Sequence, residues 1–526
     1  MSVLYYGGDI ITMDDELIGE ALLEENGLIK AVGSLNELKQ IDEQANLYDL
    51  EGQCLMPGFI DPHSHFSQVA SAQLQISLAN INNYQDLKIA ILNYIKDNEL
   101  KRGQWIQANN FDDTRWSDEP LKALHLDKCV ADYPLMIQHK SGHFGFLNTS
   151  GLRALQIDEQ TANPPGGLIG KDQGCCNGYL EENAYFKYIK MIPMPDMDLL
   201  MKAYAVAQQY YASFGITTIQ EGMLVTQMLP LYDELLNRNL LKLDLVAYPD
   251  VITYESVVKK YPHYLKQYQQ HLRFGGLKIF LDGSPQGKTA WMLCPYQNEK
   301  DYCGYPTLND DEVKKAMAMA AINNTQLLAH CNGDAAAKQF LECLQECEKA
   351  YPKLRDLRPV IIHGQLLRPE QLPLVKATGT LISFFVAHVY YWGDIHIKNF
   401  GIGRAAQISC ANSALKAKVS FTFHQDAPVI KPNMLETLWC AVNRFTRNGV
   451  LLGANERINI KEALKAITIN VAYQYHEENE KGTLTPGKKA DFVILNQNPL
   501  KCDTLNIKEI KVVSTIKDGN LIYQSN

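Results

Sequence analysis

Two hydrophobic rhythms divide the chain. Near both termini, short apolar stretches alternate with Gly and Asp turns: VLYYGGDIITMD, LIKAVGS and LYDLEGQCLMPG within 1–56, then GTLTPGKKADFVILN and IKVVSTIKDGNLIYQ within 481–526. Period-two alternation without long amphipathic stretches predicts strands and turns. Both termini are therefore expected to build one small β-sandwich domain, with the rest of the chain inserted between them. The middle holds eight strand-like apolar runs: GFIDPH (58–63), ITTIQEG (216–222), LDLVAYPD (243–250), GLKIFLDG (276–283), QLLAHC (326–331), PVIIHG (359–364), TLISFFV (380–386) and VSFTFHQD (419–426). Helical patterns such as DDEVKKAMAMAAIN and PEQLPLVKAT separate some of them. Short buried-type strands alternating with helices form parallel βα units, and eight such units predict an α/β fold, a (β/α)8 barrel over 57–69 and 201–480.

The first two runs are too far apart for one βα step, which places an inserted subdomain at 70–200. Within it, YQDLKIAILNYIKDN reads as a helix and PLMIQHKSGHFGFLNTSGLRAL as strand, turn and helix. The insertion leaves the first strand at its C-terminal end, so it is expected over the active site.

Composition narrows the function. Hydrophobic residues make up 46% and charged residues 21%, the balance of a globular chain and not a disordered one. With 59 acidic against 50 basic residues there is no basic footprint for nucleic acid and no polybasic face for a membrane. The N-terminal MSVLYYGGDIITMDDE lacks the charged start and unbroken apolar core of a signal peptide. The twelve cysteines include no CxxC pair, and most sit in apolar runs, as reduced thiols do. A soluble, cytoplasmic protein is expected, acting on a small molecule and assembling as a homo-oligomer, a dimer.

Barrel active sites lie where strands end, and the polar residues there share one character. The first run ends in His63-Ser64-His65, the fourth carries Lys278 and ends near Asp282, the fifth ends in His330, the sixth in His363, and the eighth in His424-Gln425-Asp426. Residues i and i+2 of a strand point the same way, so His63 and His65 can bind one cation. Imidazole and carboxylate ligands suit zinc, iron or manganese.

The segments MPGFIDPHSHF, KIFLDGS, LLAHCNGDAA, IIHGQLL, FHQDAPV and GTLTPGKKADFVIL together resemble the metal-dependent amidohydrolase superfamily. The likeness is greatest to the amidohydrolase family 3 branch, which includes N-substituted formamide deformylases. The resemblance runs end to end. It implies His63, His65, His330, His363 and Asp426 as ligands of one or two divalent ions, zinc foremost, and Lys278 as a carboxylated lysine bridging two of them. Relatives often carry Asp-Gly-His in the insertion and Ser-Asp-Ala-Pro at strand 8. This chain has Ser141-Gly142-His143 and His424-Gln425-Asp426-Ala427-Pro428 instead.

Chemistry follows from those groups. A bound metal acidifies water and polarises a carbonyl. Asp426 is placed to take the water's proton and pass it to the leaving nitrogen, while His363 or His388 stabilises the oxyanion. This describes hydrolysis of a non-peptide carbon–nitrogen bond of amide, N-formyl or N-acyl type. The alternatives are a deaminase-type member acting on a cyclic amidine or nucleobase-like ring, and a non-catalytic barrel. His143, His388 and Arg404 are candidate substrate contacts; the aromatic stretch from His388 to His396 is expected to form a loop over the site. Glu182 fits the family's Leu-x-Glu pattern but also reads as a solvated carboxylate at a helix start, and His424, two before Asp426, is expected to face the same side as it.

Overall fold

The structure, a computed structural model, describes residues 2–14, 18–113, 115–139 and 144–525. It divides into two compact units, one formed by Met1–Gln68 with Ala207–Asn526 and the other by Val69–Val206.

In the larger unit the eight predicted runs are all strands: β1 (Phe59–Ile60), β2 (Ile216–Leu224), β3 (Asp244–Pro249), β4 (Leu272–Phe274 and Gly276–Phe280), β5 (Gln326–Cys331), β6 (Val360–His363), β7 (Leu381–Phe384) and β8 (Phe421–Phe423). They pair in parallel and in chain order, β1 through the first segment of β4 and the second segment of β4 through β8. The break in β4 falls at Gly275, where a Cβ would stand 2.6 Å from Tyr248 Cζ, so only glycine lets the strand pass that ring. Helices alternate with the strands because each crossover must return the chain to the same edge. The one before β5, Asp310–Ile322, starts with a reciprocal cap. Asn309 Oδ1 accepts from Glu312 N–H at 3.0 Å, Glu312 Oε2 accepts from Asn309 N–H at 2.9 Å, and acidic residues fill the first turn. Ile60, Val246, Leu328, Val360, Ile362 and Leu381 are buried together in the interior.

The break in β4 divides the array into a four-stranded and a five-stranded sheet, and a second seam lies between β1 and β8, so no closed ladder forms among the described residues. Neither edge strand bonds the other; Ile60 N–H donates to Ile467 O at 3.0 Å and Phe423 N–H to Ala466 O at 2.9 Å. Two residues after β8 in space, though far from it in sequence, therefore occupy the gap.

Both termini build the β-domain. Ser2–Tyr6, Ala21–Glu25, Leu28–Gly33 and Asn46–Asp49 form one sheet; Asp9–Ile11, Ile18–Gly19 and Cys54–Pro57 join Phe492–Leu495, Val512–Lys517 and Asn520–Gln524 in another. Leu22 and Ile29 of the first sheet pack on Leu55, Phe492 and Ile494 of the second.

The smaller unit carries a six-stranded sheet and the expected helix at Tyr84–Asp97. Leu135–His139 is a strand and Thr149–Ala154 a helix, but a second strand, Phe144–Leu147, stands between them. Its FGFL alternation suits a strand antiparallel to Leu135–His139, so the segment is a hairpin followed by a helix. Among the described residues no helix is long and apolar enough to cross a membrane.

Candidate metal centre

Five of the six predicted ligands are side chains at or just beyond strand ends, and two of those strand ends bend sharply. His363 (φ 75°) and Asp426 (φ 54°) both occupy the left-handed region, which costs a non-glycine residue energy that surrounding structure must over-determine. The bend turns both side chains away from the strand's regular alternation.

His63, His65 and Asp426 converge. His63 Nε2 lies 3.4 Å and His65 Nε2 3.3 Å from Asp426 Oδ1, and that oxygen is buried without a hydrogen bond. Donors about 2.0–2.1 Å from a tetrahedral zinc stand roughly 3.3 Å apart, so each histidine nitrogen already stands at ligand spacing from that oxygen, and one ligand atom from each of the three residues lies within 4.8 Å of the others. Each ring is fixed from behind. His63 Nδ1 pairs with Gln220 Oε1 at 2.7 Å, and Gln220 Nε2 is anchored by Pro62 O at 2.6 Å and Tyr475 Oη at 2.8 Å. This leaves His63 with its proton on Nδ1 and its Nε2 lone pair directed at Asp426, the arrangement a metal ligand needs. His65 Nδ1 stands 3.8 Å from Glu221 Oε1, a carboxylate held by Ser67 N–H and Tyr232 Oη. Gly222 admits the His63 ring, since a Cβ there would lie 2.4 Å from Cε1.

A second pair lies beside the first. His330 Nδ1 and His363 Nε2 are 3.1 Å apart, again a spacing two ligands of one cation would adopt. The rings of His63 and His363 are 5.5 Å apart, centroid to centroid. Lys278 is 1% exposed, and its Nζ has no hydrogen-bond partner. Asp282, the carboxylate that might have paired with it, instead accepts the backbone N–H groups of Asn332, Gly333 and Trp291 at 2.9, 2.7 and 3.0 Å.

Burial sets the protonation states. It lowers His330 and His424 to about 3 and His363 and His63 well below the ordinary histidine value, with neighbouring cationic groups adding to the effect. All four are neutral, the form that binds metal. Burial also drops Lys278 to about 7, against the pull of Asp426. His65 is the exception. Burial pulls it down, yet the carboxylates of Asp426 and Glu221 carry it up to about 9.

The accessory candidates separate. His388 opens a helix, His388–Ala405, where a loop was expected; its Nδ1 pairs with His396 Nε2 at 3.0 Å, and its ring packs on Phe385, which touches both His363 and His424. Arg404 follows a break in that helix at Gly401, and its guanidinium donates to Phe400 O at 2.9 Å and Cys294 O at 3.3 Å. Glu182 is exposed and immediately precedes the helix Asn183–Ile189. His143, with Ser141, lies outside the described residues. Gln220 and Glu221 were not among the candidates, although they end the apolar run of β2 as polar residues, the same signal that marked the other strands.

The chain is similar to several known proteins along nearly its whole length. An amidohydrolase named YtcJ from Bacillus subtilis (strain 168) is 25% identical over 559 aligned residues, covering 100% of this chain and 100% of the relative. The N-substituted formamide deformylase of Arthrobacter pascens is 24% identical over 539, covering 96% of this chain and 95% of the relative. Among solved structures, a metal-dependent hydrolase from Pyrococcus furiosus superposes with a TM-score of 0.78 at 21% identity, covering 95% of this chain and 100% of the other, and shares the fold. The profile described as "Amidohydrolase family" matches residues 46–523, and the chain belongs to that family, as a metal-dependent hydrolase acting on carbon–nitrogen bonds.

Proposed function

We propose that this chain hydrolyses a small N-formyl or N-acyl amide, at the C-terminal end of a (β/α)8 barrel that holds two zinc ions. One observation carries the reading. His63 Nε2 and His65 Nε2 each stand at ligand spacing from Asp426 Oδ1, and no hydrogen bond satisfies that carboxylate oxygen. His330 and His363 supply the second pair of donors. Lys278 supports the second ion. A buried amine lowered to about 7 exposes the neutral form that adds to carbon dioxide, losing a proton and becoming a carbamate with two anionic oxygen donors. Four histidines and one aspartate alone, with His65 giving up its proton to ligate, would leave two divalent charges poorly compensated.

Bound zinc supplies Lewis acidity, which makes water nucleophilic near neutral pH and polarises the substrate carbonyl. Asp426 accepts the proton from the attacking water and returns it to the departing nitrogen. Both ring nitrogens of His363 are engaged, by His330 and His424, so the oxyanion falls to His388, whose Nδ1 is held by His396 and whose Nε2 remains for a substrate oxygen. Phe385 and Trp392, flanking the His388 ring at 4.6 and 4.4 Å, form the apolar wall beside it and favour a hydrophobic substituent on the amide.

The test combines metal analysis with a panel of N-formyl, N-acetyl and cyclic amides, scoring the released amine and acid. Two zinc equivalents and turnover of an N-formyl or N-acetyl substrate are expected. Ammonia released from a cyclic amidine, with no amide turned over, would replace this reading with the deaminase one.

A further inference from the structure

We propose that Ser383 and His424 are positioning residues that lock His363 in the tautomer able to bind metal. The inference rests on the reading that His330 and His363 hold a cation, and deepens it.

His424 is fully buried, and both of its ring nitrogens are taken: Nε2 stands 3.1 Å from His363 Nδ1, and Nδ1 stands 2.8 Å from Ser383 Oγ. Its Nε2 faces the His363 nitrogen turned away from His330, so it stands behind the His330–His363 pair and does not join it, although its ring lies 5.3 Å from that of His63. The direction of the chain is set by what His363 must do. A cation shared with His330 Nδ1 takes the lone pair of His363 Nε2, which leaves the ring proton on Nδ1. That N–H then donates to His424 Nε2, so His424 carries its own proton on Nδ1 and donates it to Ser383 Oγ. The reverse direction would put a proton on His363 Nε2 and block the ligand.

Register makes the arrangement. Ser383 lies opposite Thr422 in the β7–β8 ladder and His363 opposite Phe384 in the β6–β7 ladder. His424, two residues beyond Thr422 and just past the end of β8, is thereby within reach of both Ser383 and His363. A carboxylate or carbonyl commonly accepts the second N–H of a ligating histidine; here a neutral imidazole backed by a hydroxyl does so. A neutral acceptor adds no negative charge behind the ligand, consistent with a site whose compensation comes from Asp426 and Lys278.

The test is zinc affinity of the full chain, measured by chelator competition in bicarbonate, with folding followed by circular dichroism. Wild type is expected to bind two ions. His424→Leu keeps much of the volume but offers no acceptor and is expected to weaken the second ion by about 10- to 100-fold. His424→Gln restores an acceptor and is expected to stay within a few-fold of wild type. Ser383→Ala, which removes one oxygen and touches no ligand, is expected to weaken the same ion by less than His424→Leu does, and it remains informative if the Leu variant fails to fold. Leu and Gln variants of equal affinity, or Ser383→Ala with wild-type affinity, would overturn the relay while leaving the metal site standing. A wild-type chain that binds no second ion would overturn the two-ion reading itself, and the relay with it.

Discussion

At the starts of the parallel strands, Asp244 receives Lys481 at 2.6 Å, Lys517 at 3.1 Å and His271 at 2.9 Å. Glu477 takes Lys481 at 3.0 Å and Arg273 at 2.8 Å, and Lys517 reaches Asp491 at 3.2 Å. Every charge in this group meets an opposite one. At the other ends of the same strands, Lys278 is as deeply buried and has no partner, and Asp426 Oδ1 and His65 Nδ1 lack hydrogen bonds. A buried charge is costly unless paired. The first cluster meets that demand within the chain, and because Lys481, Asp491 and Lys517 come from the C-terminal segment, it also fastens that segment to the parallel strand that begins at Asp244. The second leaves the demand open, to be met by cations that the chain does not encode. A buried cation without an ion-pair partner thus marks function, and buried charges paired within the chain mark architecture.

The sharpest test of the open cluster is Asp426→Asn. It keeps the shape and removes the base, so turnover should fall by about 10²- to 10⁴-fold while circular dichroism stays unchanged. Turnover near wild type would remove Asp426 from proton transfer.

The next test pits one buried lysine against the other. Lys481→Met takes one buried cation from Asp244 and Glu477, which keep Lys517 and Arg273, and should cost up to about 3–5 kcal/mol in denaturant unfolding. Lys278→Met strands nothing, because its amine is unpaired, and should leave the metal-free protein as stable as wild type or more so while abolishing activity. Equal losses from both would erase the distinction between the two ends.

Most of this was legible before any coordinates. The eight apolar runs became eight strands, and the histidines that close them stand together, because strand ends in a parallel array share one face. What escaped notice had a physical reason in each case. The helix His388–Ala405 inverts the usual pattern, burying His388 and His396 while exposing Ile395 (42%) and Ile402 (59%), so its period was masked. The seam between β1 and β8 is made by backbone atoms of Ala466 and Ile467, which leave no side-chain signature. Gln220 and Glu221, in the middle of β2, were visible as polar residues in an apolar run but carry no metal-ligand pattern of their own.

Acidity probes the closed cluster with a smaller effect. Burial opposes ionisation of Asp244, but Lys481 and Lys517 hold its carboxyl well below the usual carboxylate range. The unfolded chain takes up this proton near pH ~3.9, and the folded one only at lower pH. The stabilisation is therefore complete above ~4 and is lost progressively as pH falls further. The stability gap between wild type and Asp244→Asn should be constant from pH 7 to 5 and narrow below about 4; a gap that widens in acid would reverse the sign.

The smallest effect is expected at Arg404, and it tests where the boundary between the two kinds of residue runs. A guanidinium near an amidohydrolase site invites the reading that it grips a substrate carboxylate. In this fold, however, two of its five N–H donors are taken by Phe400 O and Cys294 O, and its cation lies 5.6 Å from the Phe400 ring centroid. By the same rule that separates Lys481 from Lys278, a residue satisfied by its own chain belongs to the architecture. Arg404→Ala should then cost about 1 kcal/mol of stability, the worth of ordinary hydrogen bonds to carbonyls, and leave KM for neutral and acidic amides alike. A KM that rises at least tenfold for substrates bearing a carboxylate, and not for neutral ones, would return Arg404 to the binding site and show that satisfaction within the chain is a weaker guide than the two lysines suggest.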